Sequence, residues 1–245
     1  MPRRQQSTFQ AVRLWWREGA RRDGPASAAR QLAAALWEFV RDSTPARKRA
    51  RYGDAEFDWD HRVNTTSGGV GWRERLLGAL HSPYQPTEPT LFHAMIKDWL
   101  ERSAADPGEF VFCDLGSGKG RTLLMASDYP FRRIVGVELL PALHRIAEEN
   151  IRAYKSESQK CFVLEAVCAD ATIFPLPEEP LLLYLFNPFP EGTMRQVIAN
   201  LELNLKEHSH AVYVLYHNPL LEHVLAQRAG LRKLGGTHQY CILSR

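Results

Sequence analysis

Three carboxylates close three strand-like runs: Asp114 ends EFVFCD, Glu138 ends RRIVGVE, and Asp170 ends FVLEAVCAD. The first run leads into LGSGKGR, with glycines at alternate positions 116, 118 and 120. A strand that leaves through such a turn and opens a helix is a small-molecule cradle. Glycine lets a ligand approach the backbone, and the start of a helix offers free N–H groups. The dinucleotide fingerprint GxGxxG would need a third glycine where this chain has Arg121. An acid at the strand end would repel a pyrophosphate but suits a cationic ligand. Two further runs close on polar groups. LLLYLF passes into Asn187-Pro188-Phe189-Pro190, and AVYVLY into His217-Asn218-Pro219. His217 has the residue type to take a proton from a reacting group, or it serves the structure alone.

The elements that must carry these residues alternate along the chain. The pattern predicts strands over 109–114, 133–138, 161–168, 181–186 and 211–216. Helices are predicted over about 119–127, 141–154, 191–205 and 220–229, with Pro141 suited to a first helical turn. Leu181 to Phe186 is continuously apolar, as a strand covered on both faces should be. A short strand over 231–234 is expected to turn at Gly235-Gly236 into a last strand over 239–244. Strands alternating with helices give an α/β, three-layer, doubly wound and mostly parallel seven-stranded sheet, here with a C-terminal antiparallel hairpin. In such sheets ligands bind at the carboxyl ends of the strands, where all the polar groups named above fall.

Upstream lies an N-terminal helical extension. Residues 1–51 hold 12 of the 31 Lys and Arg and only 4 of the 28 Asp and Glu, a basic head on a mildly acidic body. A helix is predicted over 26–41 and a basic run over 46–51, which could contact phosphates or simply be solvated. Residues 52–88 read as an irregular, aromatic- and proline-rich loop segment packed on something, followed by a helix over about 90–102. The expected organisation is therefore a basic extension (1–51), a covering loop segment (52–88) and the α/β domain (89–245). The four cysteines show no CxxC pair or metal spacing; buried free thiols in a reducing compartment are expected, and no metal site. No apolar run approaches a membrane span, and the N-terminus lacks the apolar core of a secretory signal. A cytoplasmic location is expected. The Arg-rich, acid-poor start also fits a mitochondrial presequence.

Residues 110–245 resemble a class I, seven-stranded S-adenosylmethionine-dependent methyltransferase. VFCDLGSGKG is similar to the first family motif, which implies that Asp114, Gly116 and Gly118 hold the methionine end of the cofactor. IVGVE is similar to the second, so Glu138 would take both ribose hydroxyls, as one carboxylate can. VCADATIFPLP is similar to the third. Asp170 would accept from the adenine amino group while Ala169 or Ala171 donates its backbone N–H. LYLFNPFPE is similar to the fourth, placing Asn187 beside the transferring methyl. Asn187 would accept from a nitrogen nucleophile, and Phe189 would line its pocket. Family members that methylate amino groups carry a second proline before the aromatic residue; this chain has one fewer, which weakens a nucleobase or glutamine substrate.

Pro83-Tyr84-Gln85-Pro86-Thr87 resembles the PYxPT element of some non-SET protein-lysine methyltransferases, in which Tyr and Thr close over the cofactor. The resemblance implies that role for Tyr84 and Thr87, and a protein-lysine acceptor. A small molecule or RNA is the alternative acceptor, with nucleic-acid contact through the basic segment. Two other classes are a non-catalytic module holding the cofactor or RNA, and a nicotinamide oxidoreductase, which the glycine spacing argues against.

Overall fold

The computed structural model describes residues 25–26, 55–66, 85–186, 189–226 and 230–245. Residues 56–66 and 86–245 form one compact unit. The predicted helix over 26–41 (Ala26 apart), the basic run 46–51, Tyr84 and Asn187 lie outside the described residues.

Seven strands make one sheet: β1 (Val111–Leu115), β2 (Arg133–Glu138), β3 (Leu164–Cys168), β4 (Leu181–Phe186), β5 (Val212–His217), β6 (Arg232–Gly236) and β7 (Tyr240–Ser244). Their order is β3-β2-β1-β4-β5-β7-β6, and β7 alone runs antiparallel to its neighbours. β1 is buried along its whole length, and β4 until its last residue. Apolar side chains on both faces are what a double helical cover requires.

One face packs on helix α5 (Glu191–Glu207) through Met194, Val197, Ile198 and Leu201, against Val111, Cys113, Leu183 and Val214. The other packs on α2 (Pro89–Ser103) and α3 (Arg121–Ala126). There Phe92, Met95, Ile96 and Trp99 meet Phe112, Phe131, Tyr184 and Leu215. Pro89 sits in the first turn of α2, and Glu88 caps it by accepting from Thr90 and Leu91 N–H at 2.9 and 2.7 Å. Ala104 ends it in the left-handed region. α4 (Pro141–Ala153) and the short α6 (Glu222–Ala226) complete the alternation.

Several boundaries differ from the sequence expectation. Residues 52–88 are not wholly irregular: Ala55–His61 is a two-turn helix, α1. Its pattern was too short for periodicity to register. β1 starts at Val111, because a 3₁₀ turn over Pro107–Glu109, capped by Asp106 on Gly108 N–H, uses the residues before it. β3 starts at Leu164, because the N–H groups of Lys160 and Cys161 both bond Ser127 O. Gly235 and Gly236 lie within β6 and not in the turn. A Cβ on Gly236 would stand 2.3 Å from Tyr240 O, so glycine is there for close strand approach. Cys113, Cys161 and Cys241 are buried thiols as expected, but Cys168 is exposed.

Candidate functional site

The turn after β1 answers why the chain leaves its central strand through glycines. Gly116, Gly118 and Gly120 have φ of 92°, 55° and 82°, a region that L side chains disfavour. The turn folds back onto β2: Gly116 and Ser117 N–H both donate to Val137 O, at 2.8 and 3.1 Å. Gly136, in β2 below, makes room for it. A Cβ there would stand 2.5 Å from Leu123 Cδ1 and 2.8 Å from Ser117 Oγ.

Asp114 lies near the end of β1, with its carboxylate sealed in the core and accepting from Thr122 Oγ1 at the start of α3. Burial pushes its acid up to about 7. The Thr122 bond opposes that shift, and the negative charge of Glu138 adds to it. Glu138 closes β2, 7% exposed. Its Oε2 accepts from Gly118 N–H at 2.9 Å and its Oε1 from Leu140 N–H at 2.7 Å. Burial raises its acid too, against those backbone donors. The two acids thus stand on either side of one glycine loop, and Glu138 holds the loop directly.

Asp170 follows β3 on the surface and bonds its own turn, accepting from Thr172 N–H at 2.9 Å and Thr172 Oγ1 at 2.7 Å. Ala171 is buried behind it, in the core beneath α5. Phe189 is half-buried and packs against that same core. Thr87 is buried, and its Oγ1 lies 2.9 Å from Tyr184 Oη. Tyr184 Oη in turn lies 3.1 Å from His217 Nδ1. Burial holds the His217 imidazole down at about 4, so the ring is neutral near pH 7.

Two basic residues beside the loop are buried. Lys119 donates to Asn64 Oδ1 at 2.9 Å and Thr66 O at 2.7 Å. Burial lowers its ammonium to about 8, although Asp58 opposes the shift. Arg121 Nε donates to Thr65 Oγ1 at 2.6 Å, and its Nη2 lies 3.5 Å from Asp58 Oδ1. Asp58 also accepts from Thr65 and Thr66 N–H at 2.7 and 2.8 Å. Asn150 of α4 completes the clasp, donating to Asn64 O at 3.0 Å and Lys119 O at 2.9 Å. Sequence reasoning missed this clasp, because its halves lie more than fifty residues apart. It also missed Tyr184, whose signal was present: one polar-tipped residue in the otherwise aliphatic and aromatic run LLLYLF.

No family model matches the sequence, and no curated protein matches it. Solved structures do resemble it. One is an RNA methyltransferase from Salinibacter ruber in complex with S-adenosyl-L-homocysteine, at 22% identity over 65% of this chain and 92% of that one, with a TM-score of 0.43. Another is a ribosomal protein methylase from Lactobacillus delbrueckii subsp. bulgaricus, at 14% identity over 63% of this chain and 77% of that one, TM-score 0.43. A third is a 16S rRNA methyltransferase from T. thermophilus in complex with AdoMet and guanosine, at 16% identity over 66% and 43%, TM-score 0.45. The fold itself stands on this chain's own sheet. Seven strands with only β7 reversed, and helices on both faces, make the doubly wound, mostly parallel α/β architecture expected from the sequence.

Proposed function

We propose that the chain is an S-adenosylmethionine-dependent methyltransferase that acts on a nitrogen acceptor, with protein lysine favoured. The observation that carries this reading is the pair of buried acids, Asp114 and Glu138, flanking a loop of three left-handed glycines. A carboxylate sealed in the core, with a threonine hydroxyl as its side-chain donor among the described residues and another acid nearby, is costly unless a cation arrives. A ligand bearing an ammonium and a sulfonium supplies that cation; a dinucleotide does not. Glu138 spends one acceptor site of each oxygen on backbone donors and keeps others for two hydroxyls. The residues therefore fit the cofactor.

When bound, S-adenosylmethionine brings a methyl group already activated on sulfur. What remains for the protein is orientation and exclusion of water. Asp114 and the N–H groups of the loop would hold the amino-acid end. Glu138 would hold the ribose, and Asp170 with Ala171 the adenine. Tyr84 and Thr87 would close over the methionine portion. Asn187 and Phe189 would receive the acceptor nitrogen. The lysine preference rests on the PYxPT resemblance alone. The charge surplus of residues 1–51 supports RNA as the second reading. We place the protein in the cytoplasm. The test is transfer of labelled methyl from S-adenosylmethionine to lysate separated into protein, RNA and small molecules. Label recovered as methyl-lysine after acid hydrolysis supports the first reading; label in RNA supports the second.

Among the described residues, no helix is long and apolar enough to cross a membrane, and no three His, Cys, Asp or Glu side chains gather as a metal site.

A further inference from the structure

A second polar group is buried on the sheet face that carries Asp114. Residues paired in register on neighbouring parallel strands point to the same face. Asp114 pairs with Tyr184, Tyr184 with Leu215, and Phe186 with His217. The acid, the phenol and the imidazole thus share one face, and all three lie toward the carboxyl ends of their strands. Tyr184 sits in an apolar cluster with Phe92, Phe112, Leu182 and Leu215, and Phe186 lies against His217. A hydroxyl and an imidazole in such a place are expensive unless bonded. Here they bond each other, in the series Thr87 Oγ1, Tyr184 Oη, His217 Nδ1.

The series leaves one atom over. His217 Nε2 has no hydrogen-bond partner among the described residues, in a residue that is 8% exposed. The ring that presents it is held twice. Phe186 stacks on it with centroids 3.8 Å apart and planes 17° apart, and Tyr184 fixes its other nitrogen. Tyr184 has one proton to give. If it gives it to Thr87, Nδ1–H of His217 donates to Tyr184 and Nε2 is a lone pair.

We propose that His217 is a positioning residue for the methyl acceptor: Nε2 accepts a hydrogen bond from the N–H of the acceptor nitrogen, and Tyr184 sets the tautomer that leaves Nε2 free to accept. The proposal rests on the methyltransferase reading. It extends that reading by naming a contact on the acceptor side, and it ties this contact through Tyr184 to Thr87, the residue expected to cover the cofactor. A neutral, rigid acceptor of hydrogen bonds selects a nucleophile that carries N–H over a hydroxyl-free carbon or a thioether, and pre-aligns its lone pair.

The test uses two ligands on the full chain. One is S-adenosylhomocysteine, which lacks the methyl. The other is the S-adenosylmethionine analogue with an amine-bearing carbon in place of the methylsulfonium, whose nitrogen sits where methyl and acceptor meet. Calorimetric affinities are compared for wild type, His217→Ala, His217→Gln and Tyr184→Phe. The proposal expects His217→Ala to weaken the amine analogue about tenfold, the size of one lost hydrogen bond to a charged donor. S-adenosylhomocysteine should stay within about twofold, which also shows that the variant is folded. His217→Gln, whose carbonyl can accept, should recover most of the loss, and Tyr184→Phe should show a smaller selective loss. Equal weakening of both ligands, or no change in either, would overturn the role of His217 while leaving the cofactor reading intact. Failure of wild type to bind either ligand would instead bring down the cofactor reading, and this proposal with it.

Discussion

Asp114 sets the most exposed prediction at the level of single residues. Its carboxyl ionises at about 4 in an unfolded chain and at about 7 in the ligand-free fold. Below pH 4 both states are protonated. Between these values the folded protein keeps a proton that the unfolded chain has released. Stability of the ligand-free protein therefore falls as pH rises through that window. Asp114→Asn should remove this slope and raise the unfolding free energy at pH 8 by about 1–3 kcal/mol, as read by urea denaturation. The same change should abolish cofactor binding. A site residue whose loss stabilises the fold is the signature of a group kept for its ligand. Gly136→Ala should act the other way. The new methyl meets Leu123 and Ser117 at under 3 Å, and the glycine loop must shift. The expected cost is about 1–3 kcal/mol, with weaker cofactor binding as the second readout.

Between elements, the clasp of α1 onto the glycine loop carries the argument. Arg121 and Lys119 are buried, and they are met by Asp58, Thr65, Asn64 and Thr66 from a segment well upstream. Removing one partner of a buried ion pair leaves the other charge uncompensated. Asp58→Ala should destabilise the protein by about 3–5 kcal/mol, measured by denaturation. Asp58→Asn, which keeps hydrogen bonds to Thr65 and Thr66, should cost less. In hydrogen exchange, residues 58–66 should gain protection together with the loop when S-adenosylhomocysteine is added. This clasp was not legible in the sequence. Arg121 offered only a basic residue near a glycine turn, and nothing local named Asp58 as its partner. Local signals did suffice where the physics is local: the helix expected over about 90–102 is α2, the apolar run marks β4, and Glu138 closes β2. They failed where a tertiary bond overrode the pattern, as when Ser127 O takes the N–H groups of Lys160 and Cys161 and so delays β3.

For the molecule as a whole, a mostly parallel seven-stranded sheet with an antiparallel C-terminal pair could be anticipated because strands alternate with helices, and the apolar run of β4 had to be covered on both faces. The acceptor could not be anticipated, because no local pattern encodes a substrate's shape. Ligand linkage gives the corresponding global prediction. S-adenosylhomocysteine at one hundred times its dissociation constant should stabilise the protein by about 2.7 kcal/mol and raise the melting temperature by about 5–10 °C for a domain of this size. NAD should do neither.

The central claim is that the two buried acids and the glycine loop between them hold S-adenosylmethionine. Calorimetric titration of the full chain with that ligand, beside Asp114→Ala and Glu138→Ala, tests it most directly. The account predicts saturable one-site binding by wild type, lost in either variant. Absence of binding by folded wild type, or binding that survives both substitutions unchanged, would contradict it.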